Sequence, residues 1–408
     1  MKLLLKLAWR NVLRNKRRTV LAGLAVGIAL ASMIFIDGLY IGMLESMIRT
    51  ATDTFLGQGQ IHAEGFRDTL EVEKTIHNPE ELMKSLDSEE ILAGFSERTV
   101  SIAMLSSAAG VNSVVLYGIN PERERRISMI DEAIKKGDYI ASDNAGQILI
   151  GSKIAEILEV GTGDRLVLTT AQAGTGELSQ DLFRVTGIFH MDIRKMDSGM
   201  AFINIDRSRD LLALGQGIHE IALKFKNIDD SGDRSLAFWR KYSTDGNEAI
   251  GWRDLIPQLD GIIDMTKIST VITSFLVFCI VAVIIMHALF MSLYERMFEF
   301  GILRALGTRP VNMALIIFFE SAALSLISIV MGLGLAFVFM QVFSVYGINY
   351  KGIEFAGVTI TELMYPVMTV KQFTLYPFLI FIFSLVAAIY PAVFAAKMTP
   401  ARAMRRSM

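Results

Sequence analysis

The chain has 408 residues, 52% of them hydrophobic, and a mean hydropathy of +0.43, which excludes an ordinary soluble domain of this length. A net charge of -2 argues against nucleic acid as the main partner. The single cysteine, Cys279, excludes an internal disulfide framework, and the five scattered histidines show no paired spacing that would indicate a metal site.

Residues 1–18 predict an amphipathic helix at a membrane surface. Five basic residues recur at every fourth position: Lys2, Lys6, Arg10, Arg14 and Arg18. Leu5, Trp9 and Leu13 form an adjacent apolar row, so the helix is expected to lie in the lipid headgroup region. Each cation near anionic lipid contributes about 1 kcal/mol. A plain topogenic anchor with no further role and a contact with a partner protein are the alternatives for this segment.

Four long apolar stretches are expected to cross a membrane, since a spanning helix needs about 20 residues. They cover about 19–43, 262–293, 311–345 and 373–396. The second and third exceed the membrane thickness, so we expect them to tilt or to continue beyond it as stalks.

Basic residues predict the orientation of these spans, because they accumulate on the cytoplasmic side. One cluster precedes the first span, a second (Arg296, Arg304, Arg309) lies between spans two and three, and a third (Lys397, Arg402, Arg405, Arg406) follows span four. Both termini are therefore expected in the cytoplasm, with a tail over 397–408, a short outer loop over 346–372 and a large outer domain over 44–261. A cleavable signal peptide at the first span is the alternative, and it would put the other basic clusters at odds with this rule.

Residues 44–261 predict an α+β domain. GMAFINI and HEIALKFK alternate as strands do, and a helix is expected between them, from Asp206 to about Leu214. A further helix is expected over about 231–242, with Ser231 as its N-cap. We expect two lobes, a porter-like one from about 58–100 and 196–258 and an inserted one from about 101–195.

No motif for catalysis is found in the sequence. It lacks the phosphate-binding loop G-x-x-x-x-G-K-[ST] and the nucleophile motif G-x-S-x-G, so we expect no active site and no bound cofactor. Asp37, His287 and Glu320 are ionisable residues in or near spans, where a charge costs about 2.5–3.5 kcal/mol at mid-membrane. Asp37 and His287 are expected to reach the interfaces, and Glu320 to have a packing or relay role.

The segment between the second and third spans, YERMFEFGILRALGTRP, predicts a short helix over about 294–310. Phe298, Ile302 and Ala305 share one stripe with Gly301 alongside, and Phe300 and Leu303 add apolar character to the other side. Gly307 followed by Pro310 is typical of a helix end. A helix that is apolar on two sides is expected to insert into a partner, and a plain hairpin resting on the membrane is the alternative.

This segment resembles the ER-x-x-E-x-G-I-L-R-A-x-G motif of FtsX/MacB-type ABC transporter permeases. AWRNVLRNKRRT, GSKIAEILEVGTGDRLVLT, FRVTGIF, Glu320 and YPAVFAAKMTPARAMRR resemble other parts of the same family in the same order. The resemblance implies a coupling helix that is seated in a separate cytoplasmic ATPase. Its residues would be Glu295, Arg296, Phe298, Glu299, Gly301, Ile302, Arg304, Ala305 and Gly307.

The resemblance also implies a dimer of like or unlike subunits in a bacterial inner membrane, with ATP and magnesium used by the partner ATPase. The layout is closest to the LolC/LolE lipoprotein-releasing subunits, which implies release of lipoprotein or lipid-like cargo by mechanotransmission, with a periplasmic carrier or adaptor as a further partner. MacB-like export of peptides or antimicrobials and FtsX-like regulation of cell-wall enzymes are alternatives within the family. A membrane sensor is the alternative outside it.

Overall fold

The computed structural model describes residues 2–142, 144–191, 193–350, 354–355, 358–359 and 363–398. The α-helices in chain order are α1 (Lys2–Arg14), α2 (Lys16–Ala51), α3 (Phe66–Thr69), α4 (Pro79–Asp87), α5 (Pro121–Ile127), α6 (Ser152–Leu158), α7 (Arg194–Gly199), α8 (Ile205–Leu212), α9 (Ile228–Gly232), α10 (Ala237–Tyr242), α11 (Trp252–Leu255), α12 (Pro257–Glu295), α13 (Met297–Ala305), α14 (Pro310–Tyr346) and α15 (Val370–Ala396). A π-helical turn, Thr52–Leu56, continues α2.

The strands are β1 (Gly59–Ala63), β2 (Leu92–Ser106), β3 (Val111–Ile119), β4 (Ile134–Gly137), β5 (Gln147–Gly151), β6 (Arg165–Ala171), β7 (Leu178–Phe189), β8 (Met200–Asn204), β9 (Glu220–Phe225), β10 (Asn247–Gly251), β11 (Ile348–Asn349), β12 (Glu354–Phe355), β13 (Val358–Thr359) and β14 (Leu363–Met364). The described chain divides into two compact units. We call residues 2–45, 263–350 and 363–398 the membrane unit, and residues 46–262 with 354–355 and 358–359 the sheet unit.

Four helices among the described residues are long and apolar enough to cross a membrane: α2 with its π-helical turn, α12, α14 and α15. The predicted fold class of four spans plus a mixed α+β domain is therefore confirmed. The helix from Pro257 to Glu295 is longer than the stretch predicted over 262–293. Its added first turn carries Asp260, a charge that does not interrupt a helix.

The membrane unit is held together by one apolar cluster drawn from all four long helices and from α13. α2 and α14 approach closely at Gly27 and Gly332, where a Cβ on Gly332 would lie 2.9 Å from the Gly27 carbonyl oxygen. Such small residues let membrane helices pack backbone to backbone. α15 begins in a capping box in which Thr369 accepts from the Gln372 backbone and Gln372 accepts from the Thr369 backbone.

The sheet unit contains a ten-stranded sheet in the order β10-β1-β9-β2-β3-β8-β5-β7-β4. β6 lies off this path and pairs with both β2 and β7. The pairings β2-β3-β8-β5-β7-β6-β2 thus close a ring of six strands, which leaves no free edge within it. The ring encloses an apolar core that includes Leu105, Leu116, Ile150, Leu168 and Phe183.

A second core lies outside the ring, between β1, β2, β9 and β10 and helices α4 and α10. β2 passes from one core to the other between Phe95 and Ala103. β8 pairs with β3 and β5 in the ring, whereas the sequence had assigned residues from 196 to the porter-like lobe. Its inward Ala201 and Ile203 and its outward Phe202 are all buried, because both faces of this strand are covered.

Two local predictions in the sheet unit were wrong. The single helix expected over 231–242 is two short helices, α9 and α10, separated by residues 233–236. The caps are Asn204 before α8 and Asn227 before α9, whose side chains accept from Asp206 and Asp229 backbone N–H groups. Asparagine caps as well as aspartate or serine, so the sequence alone did not separate the candidates.

Parts of two predicted segments lie outside the described residues. In the loop expected over 346–372, β11 pairs with β14 and β12 pairs with β13, and residues 351–353, 356–357 and 360–362 are not described. Arg402, Arg405 and Arg406 of the predicted cytoplasmic tail also lie outside them.

Candidate functional site

The hairpin between α12 and α14 carries the residues that the sequence singled out for coupling. α12 ends at Glu295, α13 follows from Met297, and α14 begins with Pro310. α13 ends in a paired hydrogen-bond motif, in which Thr308 N–H donates to the Leu303 carbonyl at 3.0 Å and Gly307 N–H donates to the Arg304 carbonyl at 3.1 Å. Gly307 has φ +89°, a conformation that glycine adopts without strain.

α13 has one buried and one exposed apolar side. Phe300 is fully buried in the membrane-unit core, and Met297 and Leu303 pack against the same core. On the other side Phe298 is 50% exposed, Ile302 42% and Leu306 78%. We call these last three residues the exposed stripe of α13. Ala305 is exposed beside it, whereas Gly301, which the sequence placed alongside the stripe, is buried.

A buried ion pair joins the hairpin to α14. Arg296 donates from Nη1 to Glu320 of α14 at 3.2 Å and from Nε to Glu299 of α13 at 3.1 Å. Glu320 also accepts a hydrogen bond from Ser292 of α12, and the Arg296 guanidinium lies 5.2 Å from the Phe300 ring centre. Arg296 and Glu320 are both buried, so each depends on the other for compensation of its charge.

The N-terminal helices add further ion pairs to the same hairpin. Arg14 contacts Glu299 at 2.9 Å, and Arg18 contacts Glu295 at 2.6 Å and lies 4.0 Å from Glu320. Asn15 donates to Glu295 at 3.3 Å. Of the basic residues that the sequence assigned to the membrane surface, Arg14 and Arg18 are thus bound within the protein, whereas the side chains of Lys6 and Arg10 are exposed. Lys2 lies at the start of α1.

These contacts set the charge state of Glu299. Partial burial opposes its ionisation, but the hydrogen bonds from Arg14 and Arg296 outweigh burial and lower the pKa of this carboxyl. Glu299 therefore stays ionised at neutral pH and links α1 to the hairpin. The contacts of Arg14, Arg18 and Ser292 were missed by sequence reasoning. The first two join residues 285 and 277 positions apart, and the third depends on which face of a long helix turns inward.

The other polar residues named from the sequence lie elsewhere in the membrane unit. Asp37 accepts from Gln372 at 3.0 Å and lines a cavity of about 140 Å³ with Tyr40, Thr273 and Tyr376. His287 is exposed. Arg304 donates to the Thr308 carbonyl at 3.0 Å, and its buried Nε has no partner among the described residues.

No metal or triad chemistry is found among the described residues. They include no group of three or more His, Cys, Asp or Glu residues that could hold a metal ion. Ser152, His190 and Asp197 have the composition of a catalytic triad, but the hydroxyl at 2.9 Å and the carboxylate at 3.1 Å both meet the same ring nitrogen, Nδ1. A relay needs the two partners on opposite nitrogens, so this cluster is not arranged for one.

Comparison with known families assigns both parts of this architecture. Residues 19–233 match the MacB-like periplasmic core domain, and residues 271–400 match the FtsX-like permease C-terminal domain. The chain belongs to the FtsX/MacB-type family of ABC transporter permeases. The second match contains α13 with its exposed stripe and the Arg296–Glu320 pair.

Curated relatives include two kinds of transporter protein. The chain is 23% identical over 310 residues to the lipoprotein-releasing system transmembrane protein LolC of Xylella fastidiosa (strain 9a5c), which covers 71% of this chain and 72% of LolC. It is 22% identical over 367 residues to the macrolide export ATP-binding/permease protein MacB of Campylobacter jejuni, which covers 86% of this chain and 54% of MacB. Among solved structures, the periplasmic region of MacB from Actinobacillus actinomycetemcomitans matches with a TM-score of 0.36 and 14% identity, over 53% of this chain and 94% of that region.

Proposed function

We propose that this permease couples ATP hydrolysis by a separate cytoplasmic ATPase to the release of lipoprotein or lipid-like cargo from the outer leaflet of a bacterial inner membrane. The observation that carries this proposal is the two-sided hairpin. Phe300 anchors α13 in the membrane unit, while the exposed stripe is left for a partner. ATP and magnesium are held by the partner ATPase, and both termini of the permease lie in the cytoplasm.

The contacts of the hairpin suit it to receive force. Arg296, directly before α13, donates to Glu299 of α13 and to Glu320 of α14. Glu320 also accepts from Ser292 of α12, and Glu299 pairs with Arg14 of α1. A push on the exposed stripe therefore reaches these three helices at once. Rotation of α13 about its axis would withdraw the fully buried Phe300 ring from close packing, so this ring anchors the helix. Rigid helices then carry the displacement through the membrane. Glu295, Arg296, Glu299 and Arg304 are thus assigned to coupling and to supporting the hairpin.

The sheet unit offers a surface for an extracytoplasmic partner such as a carrier or adaptor protein. The outer side of the six-stranded ring carries five large exposed apolar residues on β2, β3 and β7: Ile102, Met104, Val111, Leu178 and Leu182. Arg165 and Arg184 lie directly opposite each other on β6 and β7 beside this surface, and neither has an ion pair among the described residues. Like charges that face each other are unfavourable in a sheet, so an acidic partner would relieve them.

Release of lipoprotein is the first candidate because the LolC relative is matched over nearly three quarters of its own length. Export of small molecules or peptides is the second, favoured by the MacB relative, whose match covers more of this chain. In both cases the sheet unit lies on the outer side of the membrane and the hairpin faces the cytoplasmic ATPase.

The coupling assignment is tested by purifying the permease from its source membrane with any bound ATPase. Replacing Phe298 by alanine should weaken ATPase association at least about tenfold, because burying a phenylalanine contributes roughly 1.5–3 kcal/mol. The matched control is Phe337→Ala on α14, since Phe337 is 54% exposed and Phe298 50%. Equal association of both variants would remove the stripe as the docking site, and the absence of any co-purifying ATPase in the unaltered protein would overturn the proposal.

The cargo is tested separately in proteoliposomes that contain the permease and its ATPase. Release of a lipoprotein into solution on addition of ATP supports the first candidate. ATP-driven movement of a peptide or macrolide without lipoprotein release supports the second. The orientation is tested by placing a cysteine at Ala305 in a Cys279→Ser background, where a membrane-impermeant reagent added outside intact cells should leave it unlabelled.

A further inference from the structure

The C-terminal end of α2, the first long helix, continues into a π-helical turn in the sheet unit. After Ala51 the α-helix changes to the π-helical turn Thr52–Leu56, which ends at Gly57 with φ +84°. Phe55 in this turn is buried, and its ring packs edge-on against Tyr117 at 4.6 Å and Phe202 at 5.0 Å on the outside of the strand ring. The helix therefore ends in a socket rather than in a free loop.

One buried arginine, Arg98 of β2, closes this socket. Its Nη2 donates to the Phe55 carbonyl oxygen at 2.7 Å, and its guanidinium lies 3.9 Å from the Phe55 ring centre. The same group forms ion pairs with Glu124 of α5 at 2.6 Å and with Glu220 of β9 at 2.7 Å. Arg98 thus holds the backbone and the ring of the helix end while it is itself held from two other elements.

Stability alone does not account for this cluster. Arg98 and Glu124 are fully buried, and a buried ion pair is commonly no more stable than apolar side chains of the same volume. Burial on its own would lower the pKa of Arg98, but the two carboxylates raise it above the ordinary value, so the cation is retained. The charged group adds a directional hydrogen bond, which fixes the position of the Phe55 carbonyl. An apolar contact would allow the helix end to slide.

We propose that Arg98 is a positioning residue for energy coupling, the joint through which movement of the first long helix is passed to the strand ring of the sheet unit. The inference rests on the proposed function, since it assigns a residue to the transmission step of an ATP-driven permease. The joint works through the carbonyl and the aromatic ring of Phe55. A change at Arg98 therefore uncouples helix movement from the six-stranded ring without altering the ATPase site.

The test compares Arg98→Lys with a matched control in the complete transporter in nanodiscs. Lysine keeps the charge but lacks the rigid planar fork whose Nε, Nη1 and Nη2 donate to Glu124, Glu220 and the Phe55 carbonyl. The control is Arg123→Lys, because Arg123 also pairs with a glutamate (Glu97, 3.0 Å) and lies 4.9 Å from an aromatic ring, that of Phe95. Within the described part of the chain, Arg123 makes no hydrogen bond or ion pair with the helix end. Arg98→Lys should retain ATP hydrolysis within about twofold and release at least about tenfold less cargo per ATP, the factor expected for one charge-assisted hydrogen bond.

Two outcomes would overturn the joint. In one, cargo released per ATP is the same in Arg98→Lys and Arg123→Lys. In the other, hydrolysis and release fall together in proportion to folded protein, which is what a merely structural role would give. If Arg98→Lys does not fold, Phe55→Leu replaces it, because this change leaves the ion pairs in place and removes only the ring beneath the guanidinium.

A second measurement does not depend on the proposed function. Spin labels at Arg49 on the first long helix and Lys136 on β4, both exposed, report the distance between helix end and sheet in the Cys279→Ser background. Without any ATPase, the unaltered protein and Arg123→Lys should give one narrow distance distribution, and Arg98→Lys a distribution at least about twice as wide. An equally narrow distribution in Arg98→Lys would overturn the joint, whereas absence of ATP-driven release in the unaltered transporter would overturn only the proposed function.

Discussion

Replacing Glu320 by glutamine tests how strongly the hairpin depends on its buried ion pair. Glu320 is the carboxylate that compensates Arg296 inside the membrane unit, at 3.2 Å, and it also accepts from Ser292. Removing one partner of a buried pair costs about 3–5 kcal/mol. Glutamine still accepts hydrogen bonds and Glu299 still faces Arg296, so we expect the lower end, about 3 kcal/mol. At roughly 2–4 °C per kcal/mol for a unit of 150–250 residues, the melting temperature should fall by about 6–12 °C.

The assay is thermal unfolding of the purified permease, followed by the loss of helical circular dichroism, with Glu295→Gln as the control. Glu295 pairs with Arg18 at 2.6 Å but is 38% exposed, and exposed pairs contribute about 0–1 kcal/mol. The control should therefore lose less than about 4 °C. If Glu320→Gln unfolds at the temperature of Glu295→Gln, Arg296 is compensated by other groups, and the view of Glu320 as the support of the hairpin is refuted.

Two further predictions concern pH. The pKa of Glu299 is lowered below its ordinary value of 4.5, so the stability that this carboxylate provides is complete above pH 4.5 and is lost as pH falls below that value. Attachment of α1 to the hairpin, measured by protease protection of α1, should therefore weaken below pH 4.5. In Glu299→Gln the protease protection of α1 should no longer depend on pH in this range. Burial lowers the pKa of His219 below 6.5, and its Nδ1 accepts from Val100 N–H at 2.9 Å, so the folded protein requires the neutral ring. The sheet unit should therefore lose stability as pH falls from 6.5. A denaturant midpoint that is equal at pH 7.5 and pH 5, or a pH dependence of the midpoint that is unchanged in His219→Gln, would contradict this.

The membrane spans and the hairpin could be predicted from the sequence because their signals are local. About 20 consecutive apolar residues identify a span without knowledge of its neighbours. Gly307 and Pro310 marked the end of α13 for the same reason, since each acts through its own backbone. Phe298 and Ile302 were correctly placed on one stripe by the helical period, but the period did not show that Gly301 would face inward while Leu306 would join the exposed side.

The closed strand ring and the Arg98 socket could not be predicted in this way. Ring closure depends on β6 pairing with β2, whose partners Leu105 and Leu168 are 63 residues apart in sequence and carry no mutual signal. Arg98 stands in a run of four polar residues, 96–99, and only the fold buries this run and brings Glu124 and Glu220 to Arg98. Charged side chains are mostly exposed, so a prediction from the sequence places a buried arginine such as Arg98 at the surface.

The two charged clusters lie at opposite ends of the same helix. α2 starts with Arg18 bound to Glu295 of the hairpin, and the turn that continues α2 ends with the Phe55 carbonyl bound by Arg98. The 36 residues of α2 span roughly 54 Å at 1.5 Å per residue. In the proposed mechanism a displacement received at the hairpin is passed on at Arg98, so the coupling proposed for α13 and the joint proposed at Arg98 require each other.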